Sequence, residues 1–379
     1  MKIVIDARFL GPEGTGIGRY TEKLLENLQI LDKINDYWVV LRSSNFDLFQ
    51  PTNPNFRKVI ADARWYSVKE QLVIPRLLLA LKPDLVHFPH FNIPVAYRGK
   101  FVVTIHDLIK SDFADKSATT RMPLVYWTKH FVYERVIRQA AGRSQKIIVP
   151  TNTIKEKVIN QLGTSPEKVT VTYEAADDKF FGWGEEQLSQ DKSKEILKKY
   201  HISKPFITYV GNAYPYKNLD RLLSALKLLP KNISLVNPSA RSVFYERLAE
   251  KARAEGLSDR VVLPGFVPDE DLSVLYRSAE AYVFPTLSEG FGIPALEAMA
   301  SRLPVVCSDI PVLREVCGDN ALYFNPHDEK DMAEKINTLL SDKKLREALI
   351  KEGLERARQF SWRKMAAQTL RVYEEVLKS

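Results

Sequence analysis

The sequence contains few cysteines and no long apolar run, and each shortage excludes a class of protein. Cys307 and Cys317 are the two cysteines among 379 residues, and both lie in apolar surroundings where nothing requires a disulfide. Such sparse use is typical of a reducing cytoplasm. No apolar run approaches the roughly 18 residues of a membrane-spanning helix. The first residues, Met1 to Asp6, lack the apolar region of a signal peptide. We therefore expect a cytoplasmic protein.

The excess of positive charge is small. Lysine and arginine number 55 against 47 aspartates and glutamates, which gives a net charge of +8. This charge favours anionic partners such as nucleotide phosphates, an acidic membrane surface or nucleic acid. A nucleic-acid role would rest on charge alone, because the sequence shows no platform of basic and aromatic residues, so none is expected. The proportions of 45% hydrophobic and 27% charged residues are ordinary for a globular protein, and the length favours two domains.

Short β-rich runs alternate with amphipathic stretches along the chain, which is typical of an α/β fold with parallel sheets. Strands are predicted at 2–6, 37–41, 85–88, 101–105, 146–149, 206–210, 233–236, 261–263, 281–284, 304–306 and 321–324. Helices are predicted at 18–31, 67–81, 123–142, 219–229, 245–255, 269–278, 294–301, 329–341, 343–359 and 362–377. The polar stretch 177–193 is a predicted linker, which places the first domain at 1–185 and the second at 195–361.

Residues 284–300 combine a buried strand, a glycine-bearing loop and a helix that starts near Pro294. Free backbone N–H groups and the helix dipole make such a junction a good site for an anion such as a diphosphate. Two carboxylates lie there, Glu289 in the loop and Glu297 in the predicted first helical turn. They could bind sugar hydroxyls. Alternatively, Glu289 is solvated and Glu297 complements the helix dipole.

The first half contains a second glycine-rich loop, from Asp6 to Tyr20, between a strand and a helix. Counting from Gly14 or Gly16, the third glycine of the dinucleotide-binding fingerprint is missing. An NAD enzyme is therefore disfavoured, and a surface loop without a ligand remains an alternative.

Histidines follow two predicted strands of the first half. His106 and Asp107 end one strand, and His87, His90 and Asn92 surround the end of another, the usual ligand edge of an α/β sheet. Structural roles are the alternative for each. No familiar metal-ligand spacing connects these residues, so no metal site is predicted.

A lysine precedes a helix in the second half. Residues 209–219 form strand, loop and helix, with Gly211 in the loop and Lys217 just before the helix, where its ammonium could reach a phosphate. The acidic run Asp269 to Asp271 could be mistaken for a metal site. It follows Pro268 at a helix start, where acids cap N–H groups.

Several motifs occur in the order found in one enzyme family. They are Gly16-Ile-Gly-Arg-Tyr, Ile105-His-Asp, Val149-Pro-Thr, Tyr173-Glu-Ala-Ala-Asp, Val210-Gly with Lys217-Asn, Gly265-Phe-Val-Pro, the Glu289 to Glu297 stretch, and Phe360-Ser-Trp with Tyr373. Together they cover nearly the whole chain. The sequence resembles the family 4 retaining glycosyltransferases of the GT-B fold. The resemblance implies two Rossmann-like domains facing across a cleft, with the C-terminal helix, 362–379, crossing back to the first domain.

The resemblance also implies residue roles. Glu289 would bind the hydroxyls of the transferred sugar, Glu297 the ribose, and Lys217 the diphosphate. His106 would reach the donor sugar, so His106, Lys217 and Glu289 are the expected catalytic residues. The implied donor-binding positions are Gly16, Gly211, Asn212, Lys217, Arg241, Phe266, Val267, Glu289, Gly290, Phe291, Gly292, Ile293 and Glu297. Acceptor-side positions are His87, His90, Asn92 and Asp107.

One position departs from the family pattern. An arginine commonly follows the glycine of the lysine loop, whereas Asn212 stands here. Either another cation such as Arg241 replaces it, or the diphosphate is held more loosely.

The resemblance implies a metal-independent, retaining transfer in which the acceptor attacks on the face that the nucleotide leaves, without a cofactor. The lysine loop and the His106 motif look most like those of bacterial GDP-mannose-dependent mannosyltransferases, with UDP-glucose or UDP-N-acetylhexosamine as alternative donors. The expected acceptor is a glycan, including one on a polyprenyl carrier. A basic stretch of Arg135, Arg138, Arg143 and Lys146 could contact an anionic membrane, which would make the protein peripheral, or could be a solvated face. Rival functions are a UDP-N-acetylglucosamine 2-epimerase and a non-catalytic sugar-binding protein.

Overall fold

The computed structural model describes residues 1–112, 123–181 and 190–378. The chain divides into two compact units. The first comprises Met1–Glu174 and Ser361–Ser379, and the second comprises Ala175–Phe360. This division falls earlier than the predicted boundary at 185–195, and residues 182–189 of that predicted linker lie outside the described residues.

The first unit is built on a parallel sheet, seven-stranded within the described residues, in the order β3-β2-β1-β4-β5-β6-β7. Its central strands are almost wholly buried because helices cover both faces of such a sheet. The strands are β1 (Lys2–Asp6), β2 (Asp36–Leu41), β3 (Phe56–Ile60), β4 (Leu85–Phe88), β5 (Phe101–Thr104), β6 (Lys146–Val149) and β7 (Val169–Val171). The first unit's helices are α1 (Thr15–Leu31), α2 (Val68–Leu81), α3 (Ile109–Asp112), α4 (Pro123–Arg143) and α5 (Asn152–Leu162).

The second unit repeats the plan with a six-stranded parallel sheet in the described residues, in the order β10-β9-β8-β11-β12-β13. Its strands are β8 (Phe206–Thr208), β9 (Ser234–Pro238), β10 (Val261–Gly265), β11 (Ala281–Phe284), β12 (Val305–Ser308) and β13 (Leu322–Phe324). Its helices are α6 (Asp178–Phe181), α7 (Gln190–Lys199), α8 (Leu219–Leu228), α9 (Val243–Ala254), α10 (Asp269–Ser278), α11 (Ile293–Ala300), α12 (Pro311–Cys317), α13 (Glu329–Ser341) and α14 (Lys343–Arg358).

Each sheet reverses its strand order at one place, between β1 and β4 in the first unit and between β8 and β11 in the second. In open α/β sheets, ligands bind outside the carboxyl ends of the strands at this switch point. The loops after β8 and β11 are therefore brought together by topology, as are those after β1 and β4.

The final helix, α15 (Trp362–Lys378), belongs to the first unit. It packs against α1 and buries Met365 and Tyr373. The Tyr373 hydroxyl lies 2.6 Å from Nδ1 of His87 on β4. This confirms the predicted return of the C-terminal helix to the first domain. Among the described residues, no helix has the length and apolar character needed to cross a membrane.

Candidate active site

The junction of β11 and α11 has the predicted strand, loop and helix arrangement. Gly292 precedes the helix with φ of 96°, a left-handed conformation that favours glycine, and Pro294 lies in the first turn. Because α11 begins at Ile293, Glu297 is beyond its first turn. The prediction that Glu297 lies in the first helical turn is therefore wrong, and the alternative in which it complements the helix dipole loses its basis.

Lys217 and Glu289 meet at the switch point of the second sheet. The ammonium of Lys217 lies 2.5 Å from Oε1 of Glu289, and their side chains are 16% and 9% exposed. A carboxylate would repel an anion, but this lysine neutralises it at close range. The pair thus explains how Glu289 can occupy a site suited to a diphosphate.

Backbone contacts tie the two loops that carry this pair. The N–H of Leu287 donates to the carbonyl of Tyr216. Asn218, in the left-handed region with φ of 59°, donates from its side chain to the carbonyls of Pro285 and Pro326 at 3.0 and 2.7 Å. These bonds fix Lys217 relative to Glu289, so the pair does not depend on two mobile side chains alone.

Glu297 is 5% exposed, and the hydroxyl of Tyr276 donates to its Oε2 at 3.3 Å. A buried carboxylate needs hydrogen-bond donors. Ribose hydroxyls are suitable donors, so this environment is compatible with the implied role.

The other implied donor-binding residues follow strand ends. Gly211, with φ of 135°, and Asn212 follow β8, and the carbonyl of Asn212 accepts from the Tyr209 hydroxyl at 3.1 Å. Arg241 follows β9 and is exposed. Phe266, which is 67% exposed, follows β10 together with the buried Val267. Gly290 and Phe291 lie in the loop before Gly292. Whether Arg241 replaces the family's arginine stays a prediction.

His106, in the first unit, has an acceptor at each ring nitrogen. Nδ1 lies 3.0 Å from Oε1 of Glu174, and Nε2 lies 2.9 Å from the carbonyl of Pro89. A carbonyl and a carboxylate only accept, so both nitrogens must donate, which requires the positively charged imidazolium. Burial opposes that charge, but the bond to Glu174 and its negative charge outweigh burial and raise the pKa of His106.

Comparison with known proteins identifies the family. Residues 14–180 match the model described as Glycosyltransferase Family 4, and residues 190–356 match the one described as Glycosyl transferases group 1. The chain belongs to the GT-B glycosyltransferases. Its fold is similar to that of sucrose-phosphate synthase from Thermosynechococcus elongatus, with a TM-score of 0.77, 20% identity, and coverage of 100% of this chain and 99% of that one.

Two curated relatives match the glycosyltransferase over most of their length. It is 28% identical to O-antigen chain mannosyltransferase B of Escherichia coli, over 99% of this chain and 100% of that protein. It is 26% identical to O-antigen chain mannosyltransferase RfbU of Salmonella typhimurium, over 89% of this chain and 90% of that protein.

The acceptor-side prediction for His87 needs correction. The side chain is fully buried, with Nδ1 bonded to Tyr373 and Nε2 lying 2.9 Å from Oγ1 of Thr104. Both nitrogens are used inside the fold, so His87 connects β4 to β5 and α15 and has no polar atom to offer an acceptor. Burial lowers its pKa to about 3.

The remaining acceptor-side residues lie at the carboxyl ends of β4 and β5. His90 is nearly buried, and its Nε2 lies 2.7 Å from the Tyr66 hydroxyl. The amide of Asn92 donates to both carboxylate oxygens of Glu70, at 2.7 and 2.8 Å. Asp107 accepts from the N–H of Ile109 at the start of α3, at 3.0 Å. Their roles toward an acceptor stay predictions.

Gly16 is the second residue of α1 and not a loop residue, because the helix begins at Thr15. The glycines that have no room for a side chain are Gly14 and Gly18. A Cβ on Gly14 would lie 1.8 Å from the carbonyl oxygen of Phe9, and one on Gly18 would lie 2.3 Å from that of Gly11. The glycines therefore serve the folding of the loop onto α1, while Gly16 is exposed at the helix start.

Sequence reasoning missed two groups of polar residues. Glu174 was recognised only as part of a motif, although its position after β7 could have suggested a partner for the strand-end His106. A buried network of Asp6, Arg8 and Glu70 was not recognised at all. Arg8 and Glu70 are 62 positions apart along the chain, and no local pattern signals such a contact.

The predicted acidic and basic stretches are largely occupied by internal contacts. Asp271 pairs with Lys199 at 2.7 Å, and the acids Asp269, Glu270 and Asp271 lie in the first turn of α10, where the prediction placed them. Arg143 donates to the carbonyls of Val95 and Tyr97, and Lys146 pairs with Glu375. Within the described residues, no group of three or more His, Cys, Asp or Glu side chains could hold a metal ion. Metal independence and a membrane contact stay predictions.

Proposed function

We propose that this glycosyltransferase transfers mannose from GDP-mannose to a growing glycan, with retention of configuration and without a metal ion. The observation that carries the proposal is the contact of Lys217 with Glu289 at the switch point of the second sheet, in the loop that precedes the helix of Glu297. It unites a cation for a diphosphate with a carboxylate for sugar hydroxyls. The choice of mannose is supported by the two relatives, which are named as O-antigen chain mannosyltransferases.

In the proposed reaction, an acceptor hydroxyl attacks the anomeric carbon on the face from which the diphosphate departs. The bond between the anomeric carbon and the diphosphate oxygen breaks, and the new glycosidic bond forms to the acceptor oxygen. The acceptor proton passes to the departing phosphate oxygen. The positive charge of Lys217 and the N–H groups at the start of α11 stabilise the negative charge that develops on the leaving group.

Three side chains have further proposed roles. Glu289 accepts hydrogen bonds from the hydroxyls of the transferred sugar, and Glu297 accepts those of the ribose. The imidazolium of His106 supplies positive charge, because its two N–H groups donate to Glu174 and to the carbonyl of Pro89, and it cannot act as a base while both nitrogens carry protons. The hydroxyl contacts of the two glutamates are expected to persist in the transition state, because these groups do not react.

Transfer with purified protein tests the proposal. The protein is incubated with GDP-mannose, UDP-glucose or UDP-N-acetylglucosamine, with and without a manno-oligosaccharide acceptor and with EDTA. Of the three donors, we expect only GDP-mannose to extend the oligosaccharide, and we expect the yield to be the same with and without EDTA. Nuclear magnetic resonance should show that the new linkage is α.

Other outcomes would replace specific parts of the proposal. A product from a UDP-sugar would change the donor, and inversion of the anomeric centre would exclude the retaining mechanism. Donor consumption without an acceptor, yielding an epimerised sugar, would support the epimerase. Loss of activity in EDTA that magnesium restores would overturn metal independence.

A further inference from the structure

Tyr66 has an unusual backbone conformation for a large side chain. Its φ is 62°, in the left-handed region, and its side chain is 52% exposed. A bulky residue is disfavoured there by a contact between Cβ and the backbone, and such strain persists only where surrounding structure enforces it. An exposed aromatic ring held in this way requires an explanation beyond folding.

A buried ionic network enforces the conformation. The N–H of Tyr66 donates to Oε2 of Glu70 at 2.9 Å. Glu70 is fully buried, and it pairs at 2.6 Å with the guanidinium of Arg8, which in turn binds Asp6. Buried charges are expensive to desolvate and often add little net stability. Here they fix the backbone N–H of one exposed residue.

The phenol end of Tyr66 is also fixed. Nδ1 of His90 accepts from the N–H of Phe91 at 2.9 Å, and burial together with nearby positive charge lowers the pKa of His90. The neutral ring therefore carries its proton on Nε2 and donates it to the Tyr66 oxygen, 2.7 Å away. The hydroxyl proton of Tyr66 is left to be donated to another oxygen.

The position of Tyr66 matches the ligand edge of the first sheet. Asp6 ends β1, and His90 and Asn92 follow β4, the two strands that flank the switch point. The ammonium of Lys110 lies 4.9 Å from the centre of the Tyr66 ring. An aromatic surface with a few fixed polar groups is typical of a small-molecule site.

We propose that Tyr66 binds a sugar ring of the glycan acceptor, by stacking and by a hydrogen bond from its hydroxyl. The inference rests on the proposed function for the nature of the acceptor. The C–H groups on one face of a pyranose carry partial positive charge and complement the negative face of an aromatic ring. Lys110 and the phenol hydroxyl supply donors for the sugar's oxygens, and Glu70 acts as a positioning residue.

Replacement by glycine separates this role from a structural one. Glycine adopts positive φ readily, so Tyr66→Gly relieves the strain, which offsets the loss of the hydrogen bond from His90, and the melting temperature is expected to stay within about 5 °C of the wild-type value. The KM for a manno-oligosaccharide acceptor should rise about three- to tenfold, as expected for loss of an aromatic contact, while the KM for the donor and the affinity for GDP stay unchanged. Tyr66→Phe keeps the ring and should show a smaller rise.

Direct binding keeps the test independent of turnover. Mannotriose is titrated into wild-type protein, Tyr66→Gly and the control Phe131→Ala, which removes another exposed ring of the same unit. We expect weakened mannotriose binding in Tyr66→Gly and wild-type binding in the control.

Equal binding and equal acceptor KM in wild type and Tyr66→Gly would overturn the inference, as would the absence of mannotriose binding by wild type in the presence of GDP. Failure of GDP-mannose transfer with intact mannotriose binding at Tyr66 would count against the proposed donor and not against this site.

Discussion

At the scale of single residues, the contact between Lys217 and Glu289 solves an electrostatic problem. A diphosphate and a carboxylate in one small site would repel each other, and several kcal/mol are at stake when two like charges approach to about 4 Å in a partly buried environment. Because the ammonium of Lys217 lies 2.5 Å from Oε1 of Glu289, the opposite charges of the two side chains compensate each other before the donor binds. The same lysine is then available to the leaving group.

Replacement of Lys217 by alanine removes this cation. Charge on the departing diphosphate should lose about 3–4 kcal/mol of stabilisation in the transition state, equivalent to a hundred- to thousandfold fall in kcat. Steady-state transfer assays check this, and Lys231→Ala, at an exposed position of the same unit, serves as the control. Turnover near the wild-type value in Lys217→Ala would show that Lys217 is not the phosphate ligand.

Two histidines of the first unit show how partners set charge. His87 is bonded to two hydroxyls and is neutral, whereas His106 is bonded to a carbonyl and a carboxylate and is charged. Their contributions to stability therefore depend on pH with opposite sign. That of His106 is fully present below its unfolded pKa of about 6.5 and is lost as the pH rises through its raised folded pKa.

For His87, acid is destabilising. Its folded pKa is about 3, so below pH 6.5 the unfolded chain takes up a proton that the folded unit does not. From pH 7 to pH 5 this costs about 2 kcal/mol of the free energy of unfolding. Urea unfolding of wild type and His87→Gln should show wild type losing this much more stability, and His201→Gln, at an exposed site, should behave like wild type. Parallel pH profiles for wild type and His87→Gln would contradict the assignment.

At the scale of elements, the start of α1 offers two glycines in opposite situations. A Cβ on Gly16 would meet nothing within 4 Å, whereas one on Gly18 would lie 2.3 Å from the carbonyl oxygen of Gly11. Alanine in a helix is favoured over glycine by about 1 kcal/mol, so Gly16→Ala should raise the free energy of unfolding by roughly 0.5–1 kcal/mol. Gly18→Ala should instead lower it by about 1–3 kcal/mol, because backbone must shift. Denaturant unfolding of both variants checks the pair, and equal effects would refute this packing.

The same comparison bears on Gly16 as a donor-side residue. If the open space around its Cα is needed by the donor, Gly16→Ala should gain stability and still lose transfer activity. Wild-type kcat and donor KM in this more stable variant would remove Gly16 from the donor site.

Buried central strands and amphipathic helices were predicted from sequence more successfully than edge strands. The strand β11 and the helices α10 and α13 have the predicted bounds. The missed strand β3 lies at a sheet edge and is only partly buried, and the missed β7 has three residues. Both lack the continuous apolar run by which central strands are recognised. For α5 the signals were present and overlooked, since Thr151 caps its start and Gly163, with φ of 65°, ends it.

At the scale of the whole molecule, the predicted site residues form two classes. Lys217, Glu289 and Glu297 belong to loops and a helix start whose local sequence indicates a ligand, and the switch-point topology then places Lys217 beside Glu289. Contacts such as Arg8 with Glu70 and His87 with Tyr373 join positions 62 and 286 apart. Such contacts form only in the complete fold. The burial of His87 and the ionic network that holds the backbone of Tyr66 were therefore not predictable from local patterns.

The two-unit organisation predicts how nucleotide binding affects unfolding. If the second unit alone holds the nucleotide, GDP should stabilise that unit and leave the unfolding of the first unit unchanged. A ligand at 100 times its Kd adds about 2.7 kcal/mol, which corresponds to a rise of roughly 5–11 °C in Tm for a unit of this size. Differential scanning calorimetry with GDP, UDP and ADP measures the shift and ranks the bases.

The variant Glu297→Ala tests whether the calorimetric shift depends on the proposed contact between Glu297 and the ribose. Loss of charge-assisted hydrogen bonds to the ribose, worth about 1.5–3 kcal/mol, should weaken GDP at least tenfold and reduce the shift at a fixed nucleotide concentration. Glu280→Ala is a suitable control, because Glu280 pairs with Arg346 and is only partly exposed. A full shift in Glu297→Ala would exclude the ribose role, and a shift of both transitions by equal amounts would show that the nucleotide stabilises the first unit as strongly as the second.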